Sequence, residues 1–272
     1  MLAHYTEQVR RDATDDGVSV VTSTPRVVRR SATGELGWSE ISWMDLDESN
    51  ANQAIDEQIE FFATTAQAFV WRVYRGDRPV DMDRRLEQAG FVALGVSELM
   101  IARVSDVATP IELPEGVTLE HANDPAGIER LIEVHRKVFA TEHTRLHHTL
   151  LAQLSLAPQL NDLVIAVAGG VPVSSARIQF LPGSDFAGLW GGSTLPEWRG
   201  RGLYRTLVAH RARVAAQRGY SYLFVTASAL SRPTLERLGF EAMGSVATFE
   251  WRPGPLPTTS RGAAVSREHP RR

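Results

Sequence analysis

The sequence predicts a mixed α/β (α+β) fold: a mixed central sheet flanked by helices, with a full C-terminal domain and a partial, related N-terminal domain. Three observations predict it. Apolar segments of strand length alternate with amphipathic helical segments along the chain. A strand, helix, strand pattern occurs twice. A length of 272 residues, 43% of them hydrophobic, suits one large or two small domains.

The repeat relates residues 68–103 to residues 222–252. Each copy runs from an apolar segment through Arg-Pro to a short helical pattern, and then through Gly-Phe-x-Ala-x-Gly to a second β-rich segment. Proline suits the first turn of each helix, and the glycine suits its C-terminal cap. We expect two related structural units, with chance similarity of turn residues as the alternative.

In the N-terminal half we expect a flexible N-terminus over 1–17 and a partial domain over 18–110, with strands, one amphipathic helix near 50–67 and the first repeat unit. Residues 110–116 are the predicted linker. The C-terminal domain is predicted over 111–252, in the order β-α-α-β-β-β-α-β-α-β. Its first elements are a strand at 117–122, helices at 126–140 and 144–156, and strands at 163–168, 171–180 and 186–195. The proline-rich segment 253–272 is predicted to be a disordered tail.

The composition narrows the classes of function. The net charge of −3 provides no global basic field, so we expect the protein to bind neither nucleic acid nor a membrane. We expect it to be a monomer or a homodimer. The chain has no cysteine, which excludes disulfides, thiolate catalysis and cysteine-bound zinc. With no apolar run of membrane-spanning length and no signal-peptide pattern, the expected location is cytoplasmic.

The stretch PEWRGRGLYRTL, residues 196–207, predicts an anion site. It follows a predicted strand and opens an amphipathic helix. Glycines between a strand and a helix leave backbone N–H groups open to an anion, and the start of the helix adds partial positive charge. Three other glycine loops fail. A P-loop would need a lysine after its last glycine, but the only lysine, Lys137, lies elsewhere. A dinucleotide-binding fingerprint would need glycine at the position of Arg205. A disordered RGG segment that binds nucleic acid would not lead into an amphipathic helix.

This stretch resembles the acyl-CoA-binding motif of the GCN5-related N-acetyltransferase (GNAT) family, Arg/Gln-x-x-Gly-x-Gly/Ala. Arg199, Gly202 and Tyr204 occupy its defining positions, and Tyr204 departs from the family's small residue. A second family motif, a strand and short helix ending in Leu-Gly-Phe, is matched by residues 222–240. The resemblance covers about residues 117–251. It is to the tandem-domain type, with a degenerate N-terminal copy that lacks the glycine-rich turn.

The resemblance implies an acyl-CoA-dependent N-acyltransferase. It would transfer an acetyl group from acetyl-CoA to the amine of a small-molecule or amino-acid-like acceptor by direct attack, with no metal. The strand before Pro196 would pair with the pantetheine arm, and the glycine-rich turn would hold the pyrophosphate. A bulge at Gly191 and Gly192 would suit that pairing, with ordinary strand curvature as the alternative. The cofactor-binding residues implied are Ser193, Thr194, Leu195, Arg199, Gly200, Arg201, Gly202, Leu203, Tyr204, Arg205 and Ser228.

The catalytic residues stay open in the sequence. The tyrosine that donates a proton in many relatives corresponds to Leu235, so that acid is absent. Ser228 and His147 are the two candidates. Ser228 could contact the leaving sulfur or cap a turn, and the segment 142–148 around His147 could line the acceptor site or be a surface helix. For Tyr204 we expect a side chain that points away along the helix, with a narrowed or displaced phosphate pocket as the alternative.

Two other functions remain open. One is a non-catalytic acyl-CoA sensor or regulatory module, which the absent acid favours. The other is a chain whose N-terminal half mainly mediates dimerisation.

Overall fold

The computed structural model describes residues 1–34, 36–110 and 112–254, and most of the predicted tail lies outside them. The N-terminal half contains a short helix, a π-helical turn (Thr6–Arg11) and the first five strands. Its elements are α1 (Leu2–Tyr5), β1 (Ser19–Ser23), β2 (Val27–Ala32), β3 (Glu40–Met44), α2 (Ala51–Thr64), β4 (Phe69–Tyr74), α3 (Met82–Gln88), β5 (Val92–Arg103) and α4 (Val104–Val107).

The C-terminal half has the predicted order of elements. They are β6 (Val117–His121), α5 (Pro125–Phe139), α6 (Thr144–Leu156), β7 (Asn161–Ala168), β8 (Val171–Phe180), β9 (Phe186–Thr194), α7 (Leu203–Gln217), β10 (Tyr222–Ala227), α8 (Arg232–Arg237) and β11 (Glu241–Trp251). Two 3₁₀ turns, Pro158–Leu160 and Pro196–Trp198, precede β7 and the glycine-rich turn. The fold is therefore mixed α/β, as predicted.

One mixed sheet runs through both halves. Its eleven strands lie in the order β1-β2-β3-β4-β11-β5-β10-β9-β8-β7-β6. The predicted repeat units are β4-α3-β5 and β10-α8-β11, but their closing strands are exchanged. Strand β5 lies between β10 and β11, and β11 lies between β4 and β5, all antiparallel. Each half therefore depends on a strand from the other to complete its sheet.

The hydrophobic cores show the same exchange. Phe249 of β11 packs in the N-terminal core with Trp71 and Phe62. Met100 of β5 packs in the C-terminal core with Val208 of α7. Trp71, Phe62, Met100 and Val208 are all fully buried. Burial of one apolar side chain of this kind stabilises the fold by about 1.5–3 kcal/mol.

The first seventeen residues differ from the expected flexible terminus. Residues 2–11 of this segment form α1 and the π-helical turn, with Tyr5 buried against Tyr74 and Phe224. Arg10 is also buried and binds Asp77 through both guanidinium nitrogens, at 3.0 and 2.8 Å. Aromatic burial and this paired charge hold the segment against the sheet, because each offsets the entropy lost on ordering.

The two repeat helices also begin differently. Pro233 lies in the first turn of α8, as predicted. Pro79 lies before α3, whose first residue is Met82. Gly90 and Gly239 adopt φ of +89° and +91° just after their helices, which matches the expected C-terminal caps.

In the described part of the chain, no helix combines the length and the apolarity needed to cross a bilayer.

Candidate functional site

The site is built around an irregularity in β9. Its pairing with β8 shifts between Ser175 and Arg177, so that Gly191 and Gly192 together oppose Ala176. Gly191 has φ of +60°. This arrangement is a β-bulge, which is the first of the two alternatives left open at these glycines.

Strand β9 also separates from β10 just before the bulge. The two strands are parallel and pair at Phe186, Ala187 and Gly188 of β9. Beyond that point β9 continues to Thr194 while β10 ends at Ala227. The edge of β9 that faces β10 is therefore open along the bulged segment, as strand addition by an extended ligand requires.

Two side chains hold the bulge from opposite sides. His135 of α5 is buried, and its Nε2–H donates to Gly191 O at 3.0 Å. Burial lowers the pKa of His135 to about 4, so the ring is neutral near pH 7. Arg211 of α7 donates to Arg177 O at 3.1 Å and Trp190 O at 3.4 Å, and burial lowers its pKa to about 10. Both contacts are to backbone carbonyls, so they fix the path of the strand.

The glycine-rich turn joins β9 to α7. Gly200 and Gly202 have φ of +76° and +85°, and a Cβ atom at either would meet nothing within 4 Å. The first hydrogen bond of α7 runs from Thr206 N–H to Gly202 O, so the N–H groups before it have no intrahelical acceptor. Open space, left-handed backbone and a helix N-terminus suit a pyrophosphate.

The basic residues of the turn occupy different places. Arg199 Nε donates to Thr194 O at 3.2 Å, and the Arg201 guanidinium lies 4.6 Å from the Trp198 ring centroid. Arg205 is exposed on the first turn of α7. All three cations therefore lie close to the start of the helix.

The strand residues proposed from the sequence face two directions. Leu195 N–H donates to Val173 O at 3.0 Å, and Ser174 Oγ donates to Ser193 O at 2.7 Å. These groups are thus engaged by β8. Because successive peptide groups point to opposite edges of a strand, the Thr194 backbone faces the open edge. Leu203 is buried and packs with Leu195.

Tyr204 differs from the expectation that it points away along the helix. Its ring packs over Gly192, where a Cβ atom would lie 3.0 Å from Tyr204 Cε2. The ring also joins the core that contains Leu235. Burial raises the pKa of its hydroxyl, and Ser231 at the start of α8 lowers it in part. The family motif has a small residue at the position of Tyr204 on α7. In this chain the small residue is Gly192 on β9, which leaves room for the large Tyr204 ring.

Ser228 lies directly after β10 and begins the turn into α8. Ser228 O accepts hydrogen bonds from Ser231 N–H and Arg232 N–H, at 3.1 and 3.0 Å. Its hydroxyl lies 3.3 Å from Ser231 Oγ and is exposed. This is the turn-capping geometry, at the same end of β10 as the open edge of β9.

A cavity of about 250 Å³ lies on the face of β9 that carries the Trp190 side chain. Both halves of the chain line it, together with the ordered N-terminal segment. Residues at its boundary include Arg10, Asp16, Arg30, Glu40, Arg72, Thr149, Gln153, Arg177 and Trp190. Trp190 of β9 belongs to this cavity wall and to the strand with the open edge, so the two features adjoin.

The His-rich segment lies at the edge of this arrangement. His147 Nε2 contacts Glu129 Oε1 at 2.9 Å, which joins α6 to α5. Arg145 donates twice to Gly37 O, at 3.1 and 2.6 Å. In the described part of the chain the cavity wall includes Thr149 and Gln153 of α6, but not the first turn of that helix.

A different group has the composition of a metal site. His121, Asp162 and His210 place their possible ligand atoms within 4.8 Å of one another. Asp162 Oδ1 already accepts from Asn123 Nδ2 at 2.7 Å and lies 3.2 Å from His121 Nδ1. The group lies on β6, β7 and α7, away from the bulge of β9, and His147 is not part of it.

Three residues of the site were not identified from the sequence: His135, Arg177 and Arg211. Each lies in a predicted helix or strand that carries other polar residues as well. The available signal was a basic residue on the buried face of a helix or strand, since such groups require a partner. Spacing alone does not show which partner that is.

Comparisons with known proteins agree with this geometry. The model of the Acetyltransferase (GNAT) family matches residues 128–240. A search of curated proteins found no match. Three of the similar solved structures are described next; all have low identity, and they support the fold alone.

A GCN5-related N-acetyltransferase from Kribbella flavida has a TM-score of 0.67 at 17% identity, covering 93% of this chain and 95% of its own. A functionally unknown protein from Staphylococcus epidermidis has a TM-score of 0.66 at 12% identity, with coverage of 91% and 97%. A tandem GNAT protein from the clavulanic acid biosynthesis pathway has a TM-score of 0.57 at 11% identity, with coverage of 88% and 84%. The model of the GNAT acetyltransferase family thus matches residues 128–240, and the whole chain has a fold similar to that of solved GNAT structures, one of them a tandem GNAT protein.

Proposed function

We propose that the protein is an N-acetyltransferase that uses acetyl-CoA and acetylates the amine of a small, amino-acid-like acceptor. The observation that carries this proposal is the position of the cavity. It adjoins the bulged part of β9, on whose open edge a pantetheine arm would pair, and the glycine-rich turn lies at the end of the same strand.

The residues present fit acetyl-CoA. Gly200 and Gly202 leave open space at a helix N-terminus, with Arg199, Arg201 and Arg205 nearby. The Thr194 backbone faces the open edge of β9. When bound, acetyl-CoA supplies a thioester carbonyl that an amine can attack.

The chain's own groups would position the reactants and handle the protons. Neutral His135 holds the bulge at Gly191, and Arg211 holds it from the other side. Tyr204 is protonated near pH 7, and burial raises its pKa further. Its ring lies beside Gly192, and its hydroxyl faces the start of α8, so we assign it the donation of a proton to the leaving thiolate, in place of the residue at Leu235. The amine attacks in its neutral form and loses its proton to water, and solvent returns a proton to the tyrosine.

Binding of acetyl-CoA is tested by calorimetry on Gly202→Asp. An aspartate at this N-cap position would accept the helix N–H groups and place a negative charge where the pyrophosphate would bind. We expect affinity for acetyl-CoA to fall by about 100-fold or more.

The matched control is Gly219→Asp at the other end of α7. Gly219 has φ of +82° and equally open surroundings, so the backbone strain is comparable. Its affinity for acetyl-CoA should equal that of the native chain. Equal losses in both variants, or a native chain that gives no heat at millimolar acetyl-CoA, would contradict the proposed site.

A second candidate function is a non-catalytic acyl-CoA sensor. It is favoured by Leu235, which is fully buried in the core at the position of the family's tyrosine. The two functions differ in turnover: thiol release from acetyl-CoA with any amine of a broad panel supports the transferase, and tight binding without release supports the sensor.

A further inference from the structure

The arginines at the cavity differ in how their charges are balanced. Arg10 binds Asp77 through two nitrogens, and Arg72 Nε lies 3.0 Å from Glu40 Oε2. Arg30 Nη1 lies 3.5 Å from Asp16 Oδ2 and also approaches Glu40. Four arginines line the cavity, and three of them, Arg10, Arg30 and Arg72, therefore have a carboxylate partner within the protein.

Arg177 is the exception. Among the described residues it forms no ion pair, and its Nε is buried without a hydrogen-bond partner. The nearby charge of Asp16 acts on it, but burial dominates and lowers the pKa of the guanidinium only to about 10, so it remains charged near pH 7. Arg177 as a whole is only partly buried. A partly buried cation without a bonded anion carries a desolvation cost, which a ligand anion would reduce.

Trp190 adds a second donor beside Arg177. The two residues are directly opposite each other on β9 and β8, so their side chains share one face of the sheet. Trp190 Nε1 is also buried without an acceptor in the described part of the protein. A planar guanidinium can bind both oxygens of a carboxylate, and an indole N–H on the same face is a further donor.

This donor pair lies next to the bulge. A Cβ atom at Gly191 would be 4.0 Å from Arg177 Cγ. An anion bound to Arg177 would thus lie close to the strand on which the thioester is expected to bind. A cavity of about 250 Å³ suits an acceptor in which the amine and the anion belong to one small molecule.

We propose that Arg177, with Trp190, binds the carboxylate of the acceptor, so that the protein selects amines that carry a carboxylate, such as free amino acids. This inference rests on the proposed function, and it names the substrate class of that site. Arg177 acts in it as a binding and specificity residue.

The test compares acceptors that differ only in the carboxylate. The panel contains neutral L-α-amino acids, β-alanine and γ-aminobutyrate, each with its amide, at equal concentrations of free amine. Thiol release from acetyl-CoA gives kcat/KM. The native chain should prefer at least one acid over its amide by about 100-fold. Arg177→Met should lose that preference, mainly through the KM of the acceptor, and keep the KM of acetyl-CoA.

Folding is checked separately. Methionine retains the length of the side chain and removes an unpaired charge, so Arg177→Met should melt at or above the native temperature. Arg213→Met, at an exposed position on α7, is the control and should retain the preference of the native chain.

The outcomes separate this inference from the proposed function. Transfer to amides as fast as to acids would overturn the carboxylate site and leave the transferase intact. With no transfer, thermal stabilisation of the native chain by millimolar amino acids, absent in Arg177→Met, would support the carboxylate site alone. Neither turnover nor stabilisation, in a chain that still binds acetyl-CoA, would overturn it.

Discussion

His135 joins local chemistry to the shape of the site. Its ring is buried between α5 and β9 and must be neutral to remain there, because burial disfavours the charged form. The donated hydrogen bond to Gly191 O fixes the tautomer with the proton on Nε2, since a carbonyl oxygen only accepts. One histidine thus sets the backbone position at the bulge.

This burial predicts a pH dependence of stability. The folded pKa of His135 is about 4, below its usual value, so the unfolded chain binds the proton more readily. The stabilisation is present above about pH 6.5 and is lost as the pH falls toward 4, up to about 3 kcal/mol. His135→Gln removes this titration while an amide N–H can still reach Gly191 O.

Urea unfolding of both proteins at pH 7 and pH 4 measures the effect. The native chain should lose about 3 kcal/mol more than His135→Gln between these values. Equal losses would mean that His135 does not titrate in this range through folding. The comparison with the variant cancels the contributions of other acidic and histidine groups.

Tyr204 is the second residue whose role can be separated from its packing. Phenylalanine retains the ring over Gly192 and removes only the hydroxyl. If the hydroxyl donates the proton to the leaving thiolate, Tyr204→Phe should lower kcat for transfer by about 100-fold and leave the affinity for acetyl-CoA unchanged.

The pre-steady-state rate of thiol release and calorimetric binding are the two measurements. A variant with native kcat would remove Tyr204 from proton transfer and leave it a packing residue. Tyr222→Phe is a control, since it removes a tyrosine hydroxyl at the other end of the paired segment of β10.

At the scale of elements, local patterns predicted most of the C-terminal half. The bounds of α6 and β8 agree with the predicted ranges, and β9 ends one residue earlier than expected. Strand and helix periodicity depends on neighbours in the sequence, so it is readable without the fold. Two successive glycines in a strand indicated a bulge or ordinary curvature, and the structure shows the bulge.

The elements that were misplaced depend on distant partners. The N-terminal segment has little local pattern, and it is ordered by Tyr74, Asp77 and Phe224 from elsewhere in the chain. Helix α3 begins three residues after Pro79, where the Arg-Pro pattern had suggested its first turn. Tyr204 was expected to point outward because the sequence does not show that Gly192 leaves room for its ring.

At the scale of the whole molecule, the exchanged strands join the two halves. Strand β5 provides partners for both β10 and β11, and β11 provides one for β4. Neither half retains a complete sheet without the other. The two repeat units are adjacent in the centre of the sheet, and the cavity lies between the halves that they join.

This exchange predicts how the chain tolerates division. Residues 111–272 expressed alone would expose the edges of β10 and β11 and the apolar side chain of Phe249. We expect this fragment to lack a cooperative thermal transition. Co-expression with residues 1–110 should restore one, at a temperature near that of the intact chain.

Calorimetry and circular dichroism of the fragment, the pair and the intact chain make the comparison. A fragment that melts cooperatively by itself would show that the C-terminal half completes its own sheet. That result would also favour the alternative in which the N-terminal half mainly mediates dimerisation.

The sequence by itself determined the class of fold, the order of elements in the C-terminal half, the repeat and the glycine-rich turn, because each of these is written in short-range patterns. Only the tertiary structure decided which strands are exchanged, that the N-terminal segment closes a cavity, and that Arg177 and His135 meet at the bulge of β9. Those features arise from contacts between residues distant in the chain. The contacts also determine which buried charges have no partner, and a single sequence does not specify those contacts.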